Sequence, residues 1–232
     1  RLGPRKEEID LARAQLAEAD AAIRWWETQL ENTIIRAPVP GTILERLTEK
    51  GEMVTTGYVA SRDGRLLAYG VSAGGSDWTE WRVRDLATGQ DLPDVLRFTK
   101  YYAPAFARDG RGLYYSAFPA PQPGAELSTR DLDDAVYYHA LGTPGAADRR
   151  LLYDPSHPDR QYLPHLSDDG RWLVVTSGEG EVGDKGRENV HLIDLDAAAP
   201  AAQAVVEGFE AAYNYVGSDA GRLYFLTTLA AP

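Results

Sequence analysis

Apolar residues recur at two different periods along this chain. Between residues 7 and 30, Ile9, Ala12, Leu16, Ala19, Ile23, Trp26 and Leu30 step alternately by three and four. This is the seam spacing of a coiled-coil helix. The stretch has no Gly or Pro and is rich in Ala, Leu, Glu and Gln, which favour helix. One long α-helix is therefore predicted over 7–30. Its seam calls either for a coiled-coil partner or for packing on its own domain. At Asn32 the period changes. Thr33-Ile34-Ile35-Arg36-Ala37-Pro38 and Thr42-Ile43-Leu44-Glu45-Arg46-Leu47 read as short strands. β-Branched residues favour strands, and Pro38 biases Ala37 away from helix. Pro40-Gly41 and Lys50-Gly51 mark turns, which makes this stretch a short β-hairpin segment.

From residue 58 an apolar run after an Asp-Gly turn repeats along the chain. Arg62-Asp63-Gly64-Arg65-Leu66-Leu67-Ala68-Tyr69 returns as Arg108-Asp109-Gly110-Arg111-Gly112-Leu113-Tyr114-Tyr115 and as Asp168-Asp169-Gly170-Arg171-Trp172-Leu173-Val174-Val175. A looser copy is Ser218-Asp219-Ala220-Gly221-Arg222-Leu223-Tyr224-Phe225. Gly64, Gly110, Gly170 and Gly221 lie 46, 60 and 51 residues apart. A period near 50 built of short strands is the signature of a β-propeller. Further strands follow the first three copies at 80–85, 136–141 and 190–195. The fold class is therefore mainly β: a partial, about four-blade β-propeller, preceded by one long helix and a short β-hairpin segment. The expected division is 1–57 and 58–232. An arc of four-stranded antiparallel sheets would leave apolar faces on its first and last blades, and with the unpaired helix seam it predicts self-association.

Charge and composition then exclude several function classes. The chain is 44% hydrophobic and 25% charged, ordinary for a globular domain. No apolar run approaches the roughly 20 residues of a membrane helix, and residues 1–10 carry no signal-peptide pattern. A net charge of −11 opposes binding to a phosphate backbone, so no nucleic-acid partner is expected. With no cysteine there are no disulfides, thiol nucleophiles or Cys-ligated metals, and the compartment, cytoplasm or periplasm, stays open.

Several motifs suggest chemistry, but their surroundings argue against it. Gly70-Val71-Ser72-Ala73-Gly74 fits the nucleophile elbow, yet an elbow needs a strand before Ser and a helix after it, and a strand follows here. Gly178-Glu179-Gly180-Glu181-Val182-Gly183 fits a dinucleotide fingerprint, but six residues separate it from the next strand, too few for a crossover helix. His139, His157, His165 and His191 are scattered and read as packed or surface residues rather than metal ligands. Asp131-Leu132-Asp133-Asp134 lacks the Gly and terminal Glu of a calcium loop and reads as a solvated loop. Trp78, Trp81 and the tyrosine pairs 101–102, 114–115 and 137–138 read as blade core. No catalytic, cofactor-binding or metal-binding residue is assigned, and no cofactor is expected.

Two resemblances extend this reading. The run from Leu30 to Gly57, with Thr33-Ile-Ile-Arg-Ala-Pro38, Gly41 and Gly51-Glu-Met-Val54, resembles HlyD-like periplasmic adaptors (membrane fusion proteins), in which a coiled-coil helix leads into half of a lipoyl-like domain. Pro40 departs from that pattern, and no lysine stands at a hairpin tip for lipoylation. Residues 58–232 resemble the N-terminal propeller of prolyl oligopeptidases. The matching runs are Asp63–Gly70, Gly75-Ser-Asp-Trp78, Asp91-Leu-Pro-Asp-Val-Leu96, Arg108–Tyr115, Tyr137-Tyr-His-Ala-Leu-Gly-Thr143, Leu166–Arg171, Tyr213-Asn-Tyr-Val216 and Phe225-Leu-Thr-Thr228. This resemblance implies a propeller that gates access of short proline-containing peptides to a serine-type α/β-hydrolase domain. The Ser, Asp and His of catalysis belong to that domain, so this chain is expected to be inactive alone and to meet peptide substrates only beside it. The other resemblance implies an adaptor or scaffold of a secretion or efflux system, and a non-functional chimera is the third reading.

Overall fold

Four turns in the described chain put a glycine in left-handed conformation at the same repeat position: Gly64, Gly110, Gly170 and Gly221, with φ of 68°, 69°, 73° and 76°. An L side chain is strained there, so each turn selects glycine. In the first and third copies a serine and an aspartate complete the turn. The Ser61 hydroxyl donates to Asp63 at 2.6 Å and accepts from the Leu66 N–H at 2.9 Å. Ser167, Asp169 and Trp172 repeat the arrangement at 2.6 and 2.8 Å.

The computed structural model describes residues 23–24, 54–72, 76–122, 124, 130–179, 188–208 and 210–229. Two compact units divide at residues 48 and 49. In the first unit only Ile23 and Arg24 are described, in helical conformation. The rest of the predicted helix over 7–30 and the hairpin segment of 32–51 lie outside the described residues. Among those residues the one helical element with defined ends is the 3-10 turn Gly145–Ala147.

The second unit is built of antiparallel sheets. Strands β1 (Val54–Ala60), β2 (Leu66–Ser72), β3 (Thr79–Asp85) and β4 (Gln90–Thr99) form the first in that order. Strands β5 (Ala105–Phe106), β6 (Gly112–Ala117), β7 (Ala135–Ala140) and β8 (Arg149–Leu152) form the second. The third holds β9 (Arg160–Leu166), β10 (Trp172–Glu179), β11 (Glu188–Asp194) and β12 (Ala202–Val206). Strands β13 (Tyr213–Asp219) and β14 (Arg222–Thr227) pair as a fourth, two-stranded sheet among the described residues. Neighbouring strands in sequence are neighbours in the sheet, as in propeller blades. β1 starts at Val54, so the first blade begins before residue 58.

Alternation along β6 shows how the blades pack. Leu113, Tyr115 and Ala117 join Leu66, Ala68, Trp81, Val83 and Leu96 in the core between the first and second blades. Tyr114, between Leu113 and Tyr115, points the other way, into a core with Tyr162, Leu173, Val175 and Ile193 of the third blade. Successive strand residues face opposite sides of a sheet, so a strand buried on both faces serves two interfaces. The prolines inside strands, Pro93 in β4 and Pro164 in β9, sit on edge strands, where a missing N–H costs no ladder bond.

Candidate functional site at one end of the blades

Left-handed backbone is uncommon for residues other than glycine and costs about 1 kcal/mol or more. Four such residues occur in the described chain: Phe98 (φ 59°), Tyr101 (32°), Asp133 (65°) and Ala220 (47°). Ala220 belongs to a hairpin turn. Phe98 and Tyr101 flank the connection from the first blade to the second, and Asp133 lies in the segment before β7. Strain held in place by its surroundings points to functional loops.

The side chains around it form an aromatic surface. Phe98 and Phe118 both meet Trp78 edge-on, with ring centroids 6.4 and 6.0 Å away. The Phe118 N–H donates to the Phe98 carbonyl at 2.9 Å and ties the two blades together. Tyr101 packs against Tyr102 at 6.1 Å. Lys100 is 7% exposed at the centre of this group. Its ammonium stands 4.4 Å from the Trp78 ring centre and 2.6 Å from Asp131. The Tyr101 hydroxyl donates to the other Asp131 oxygen at 2.6 Å. A buried lysine needs such a partner, because an unpaired charge out of water is costly. The cluster therefore presents Tyr101 and Phe98 to solvent on a fixed ionic base.

The same tyrosines lead to the inner strands. A cavity of about 490 Å³ is lined by Tyr101, Tyr102 and Arg62 together with Val59, Phe106, Leu163 and Leu166, strand residues of three blades. His165 also lines it, and burial lowers the pKa of its ring. A cavity that mixes aromatic and aliphatic walls with a few polar groups suits a small organic or peptide ligand.

The acidic run 131–134 is not a solvated loop. Asp131 holds Lys100 of the first blade. Asp133 accepts from Tyr153 at 2.7 Å, and Asp134 accepts the Tyr162 N–H of the third blade at 2.8 Å. Burial raises the Asp134 carboxyl to about 7, against the opposing pull of the backbone N–H groups of Tyr162 and Ala135. Trp78 and Tyr101 likewise depart from the expected blade core, since Trp78 is half-buried and Tyr101 exposed. Trp81, Tyr114 and Tyr115 do fill cores, and Tyr137 and Tyr138 pack partly buried against them.

Ser72 ends β2, and its hydroxyl donates to the Ser76 carbonyl at 2.5 Å. The next element is strand β3, so no strand–turn–helix elbow forms. Gly180–Gly183 of the other glycine-rich motif lie outside the described residues. His139, on β7, is 1% exposed between two carboxylates, Asp94 of β4 at 3.0 Å and Asp148 at 2.7 Å. Tyr115 adds a 2.6 Å bond to Asp148, and burial pushes its phenol pKa upward. Each imidazole nitrogen has a carboxylate partner, so His139 links two blades. His157, on the surface, pairs with Asp154 at 2.8 Å, and His191 lies in β11 with its pKa lowered by burial.

Sequence reasoning missed Lys100, Phe98 and the carboxylates around His139. Tyr101-Tyr102 sitting in an inter-strand connection was the one available signal, because core tyrosines belong in strands.

A family model described as the prolyl oligopeptidase N-terminal beta-propeller domain matches residues 44–232. The chain belongs to this propeller family. The prolyl endopeptidase of Elizabethkingia meningoseptica is 28% identical over 187 residues, covering 81% of this chain and 26% of that protein. Prolyl oligopeptidase A of Amanita bisporigera is 28% identical over 80% of this chain and 27% of its own length. Prolyl oligopeptidase B of Galerina marginata, solved with a 35-residue hydrolysis and macrocyclisation substrate, superposes with a TM-score of 0.69. It is 25% identical and is matched over 80% of this chain and 27% of that one. A solved prolyl endopeptidase gives a TM-score of 0.67 at 32% identity over 76% of this chain and 24% of that one. This propeller thus spans about a quarter of the length of the relatives it matches. The match begins at residue 44, inside the stretch that resembles an adaptor, and no adaptor family is among these findings.

Proposed function

We propose that this propeller serves a prolyl oligopeptidase-type serine peptidase by gating short proline-containing peptides on their way to a hydrolase domain outside this chain. The supporting observation is the aromatic mouth. Phe98 and Tyr101 hold strained backbone and stand partly in solvent, and Tyr101 lines a cavity walled by inner strands of three blades. Aromatic faces pack well on the flat pyrrolidine ring of proline and bury large area at low entropy cost. The buried Lys100–Asp131 pair fixes that surface instead of reaching for substrate. Ser72, the one elbow-like serine, gives its hydroxyl to the Ser76 carbonyl.

Titration of tryptophan fluorescence with a short proline-containing peptide and its alanine counterpart tests the reading. The proline peptide should perturb Trp78 with millimolar affinity, and Tyr101→Ala should weaken the effect about tenfold, as losing one aromatic contact costs about 1–2 kcal/mol. Equal response to both peptides, or an unchanged titration in Tyr101→Ala, would reject it. The chain should also fail to hydrolyse a proline-containing reporter peptide, and serine-reactive phosphonate should leave Ser72 unlabelled.

A further inference from the structure

At the opposite end of the inner strands, three arginines converge in a chain that is otherwise acidic. Arg62 follows β1, Arg108 follows β5 and Arg171 precedes β10, so equivalent turns of three blades each contribute one. With Asp169 and Asp196 they line a cavity of about 450 Å³. Every lining residue is charged, and since Arg171 is ion-paired with Asp194, Arg62 and Arg108 are the lining arginines without an ion pair among the described residues.

Each side chain in the cluster is positioned differently. Arg62 donates to the Asp168 carbonyl at 2.6 Å, which leaves other donors of its fork available. Arg171 is anchored by Asp194 at 2.7 and 3.2 Å and lies over the Trp172 ring at 4.9 Å. The stem of Arg108 is pressed against the third-blade turn: a Cβ at position 170 would come within 2.6–2.8 Å of its Cβ, Cγ and Cδ. Gly170 is therefore required by φ and by Arg108 together. Among the described residues the Arg108 guanidinium has no hydrogen bond or ion pair; the Ser167 hydroxyl and the Arg171 backbone N–H hold Asp169 below the usual carboxylate range, with a smaller pull from the Arg108 charge. Asp169 spends one oxygen on the Ser167 hydroxyl and the Arg171 N–H, at 2.6 and 3.0 Å.

We propose that this cavity binds a small multivalent oxyanion, phosphate-like or polycarboxylate, held chiefly by Arg108 and Arg62. Planar guanidinium forks pair with such oxygens in bidentate geometry and stay charged at every physiological pH. Two separate forks can engage several oxygens at once, so an anion carrying several charged oxygens is favoured over a simple monocarboxylate. Bound there, the anion joins the turns of the first three blades and stabilises the folded chain by mass action. Arg62 also lines the cavity beside Tyr101, whereas Arg108 lines this one alone, so Arg108 separates the two readings.

Thermal melting of the full chain at constant ionic strength, adjusted with sodium chloride, provides the test. Added phosphate should raise the melting temperature saturably at millimolar concentration. Arg108→Gln should weaken the apparent affinity at least tenfold. Arg62→Gln should do the same, and Arg222→Gln, in the fourth turn and outside the cavity, should leave it unchanged. Among the described residues Arg108 makes no hydrogen bond or ion pair, and glutamine keeps its stem against Gly170, so its variant should fold normally and carry the test if Arg62→Gln does not. Citrate acting at lower concentration than phosphate would identify a polycarboxylate as the better ligand, and the reverse a phosphate. Acetate as effective as phosphate, no rise with either multivalent anion, or an equal rise in Arg108→Gln would overturn the proposal.

Discussion

The Lys100 ammonium stands 4.4 Å from the centre of the Trp78 ring while its Nζ is 2.6 Å from Asp131. One buried cation thus serves an aromatic ring of the first blade and a carboxylate carried by the segment that enters β7 of the second. Lys100→Met keeps the stem volume and removes the charge. Asp131 then loses its ion partner in a partly buried place, which should destabilise the chain by roughly 2–4 kcal/mol, because breaking a buried pair costs more than the pair contributes. Urea unfolding measures this. The double variant Lys100→Met with Asp131→Asn should recover part of the loss, and failure to recover any would show that the pair is not what holds the mouth.

His139 makes the corresponding bridge between the outer parts of the same two blades. Asp94 and Asp148 approach its two nitrogens at 3.0 and 2.7 Å, and all three side chains are nearly inaccessible. The Gly142 N–H also donates to Asp94, at 2.5 Å. His139→Leu fits the volume but strands two buried carboxylates, and should cost roughly 3–5 kcal/mol. A loss below 1 kcal/mol by chemical denaturation would contradict the linking role.

Much of this architecture could be read from the turns. Asp-Gly at a spacing near 50 gave the blades, because the left-handed glycine and the aspartate that caps the turn are both visible as residue types. The outer strands were less legible. β4 carries Pro93 and β12 is largely exposed, so neither shows the apolar alternation that reveals a strand. The innermost strand β5 has two residues, too short for any period. The site was legible only in part. Lysine and aspartate usually mark surface, and nothing local announces that Lys100 will lie beneath Trp78 or that Asp134 will be sealed against the third blade. Those placements come from contacts between blades. Likewise, the left-handed conformation of Phe98 and Tyr101 is imposed by packing and leaves no trace in their residue types.

Strands β13 and β14 display apolar residues to solvent: Val216 is 69% exposed, Leu226 68% and Tyr224 46%. Their sheet has two strands among the described residues. Contiguous apolar surface on a sheet drives association. The isolated chain is expected to self-associate, with light scattering after size exclusion giving a mass above 25.5 kDa that grows with concentration. Leu226→Glu should shift the distribution toward monomer. A sharp monomer peak at every concentration would mean that these residues are covered in solution.

Asp134 sets a pH dependence whose sign is fixed by burial. Its side chain is 2% exposed, one oxygen accepts the Tyr162 N–H, and the other is buried without a hydrogen-bond partner. Burial raises its pKa from 3.8 to about 7 in the folded chain, with Asp131 adding a smaller push in the same direction. The folded state therefore keeps a proton that the unfolded state releases above about pH 4. Stability from this group is fully present below the unfolded value and is lost as pH rises toward 7, by at most ~1.4 kcal/mol per pH unit. His165 and His191 act oppositely. Burial lowers both, so their contribution is lost as pH falls below 6.5, where the unfolded imidazoles take up protons. The total profile mixes these effects, and the useful quantity is the difference between Asp134→Asn and the parent. Asparagine keeps an acceptor for the Tyr162 N–H and carries no charge. The variant should be near-neutral or slightly destabilising at pH 5 and increasingly stabilising up to pH 8, where the gain should reach roughly 1–3 kcal/mol. Chemical denaturation at pH 5, 6, 7 and 8 measures it. A difference that stays constant with pH would show that the Asp134 carboxyl ionises alike in the folded and unfolded chain.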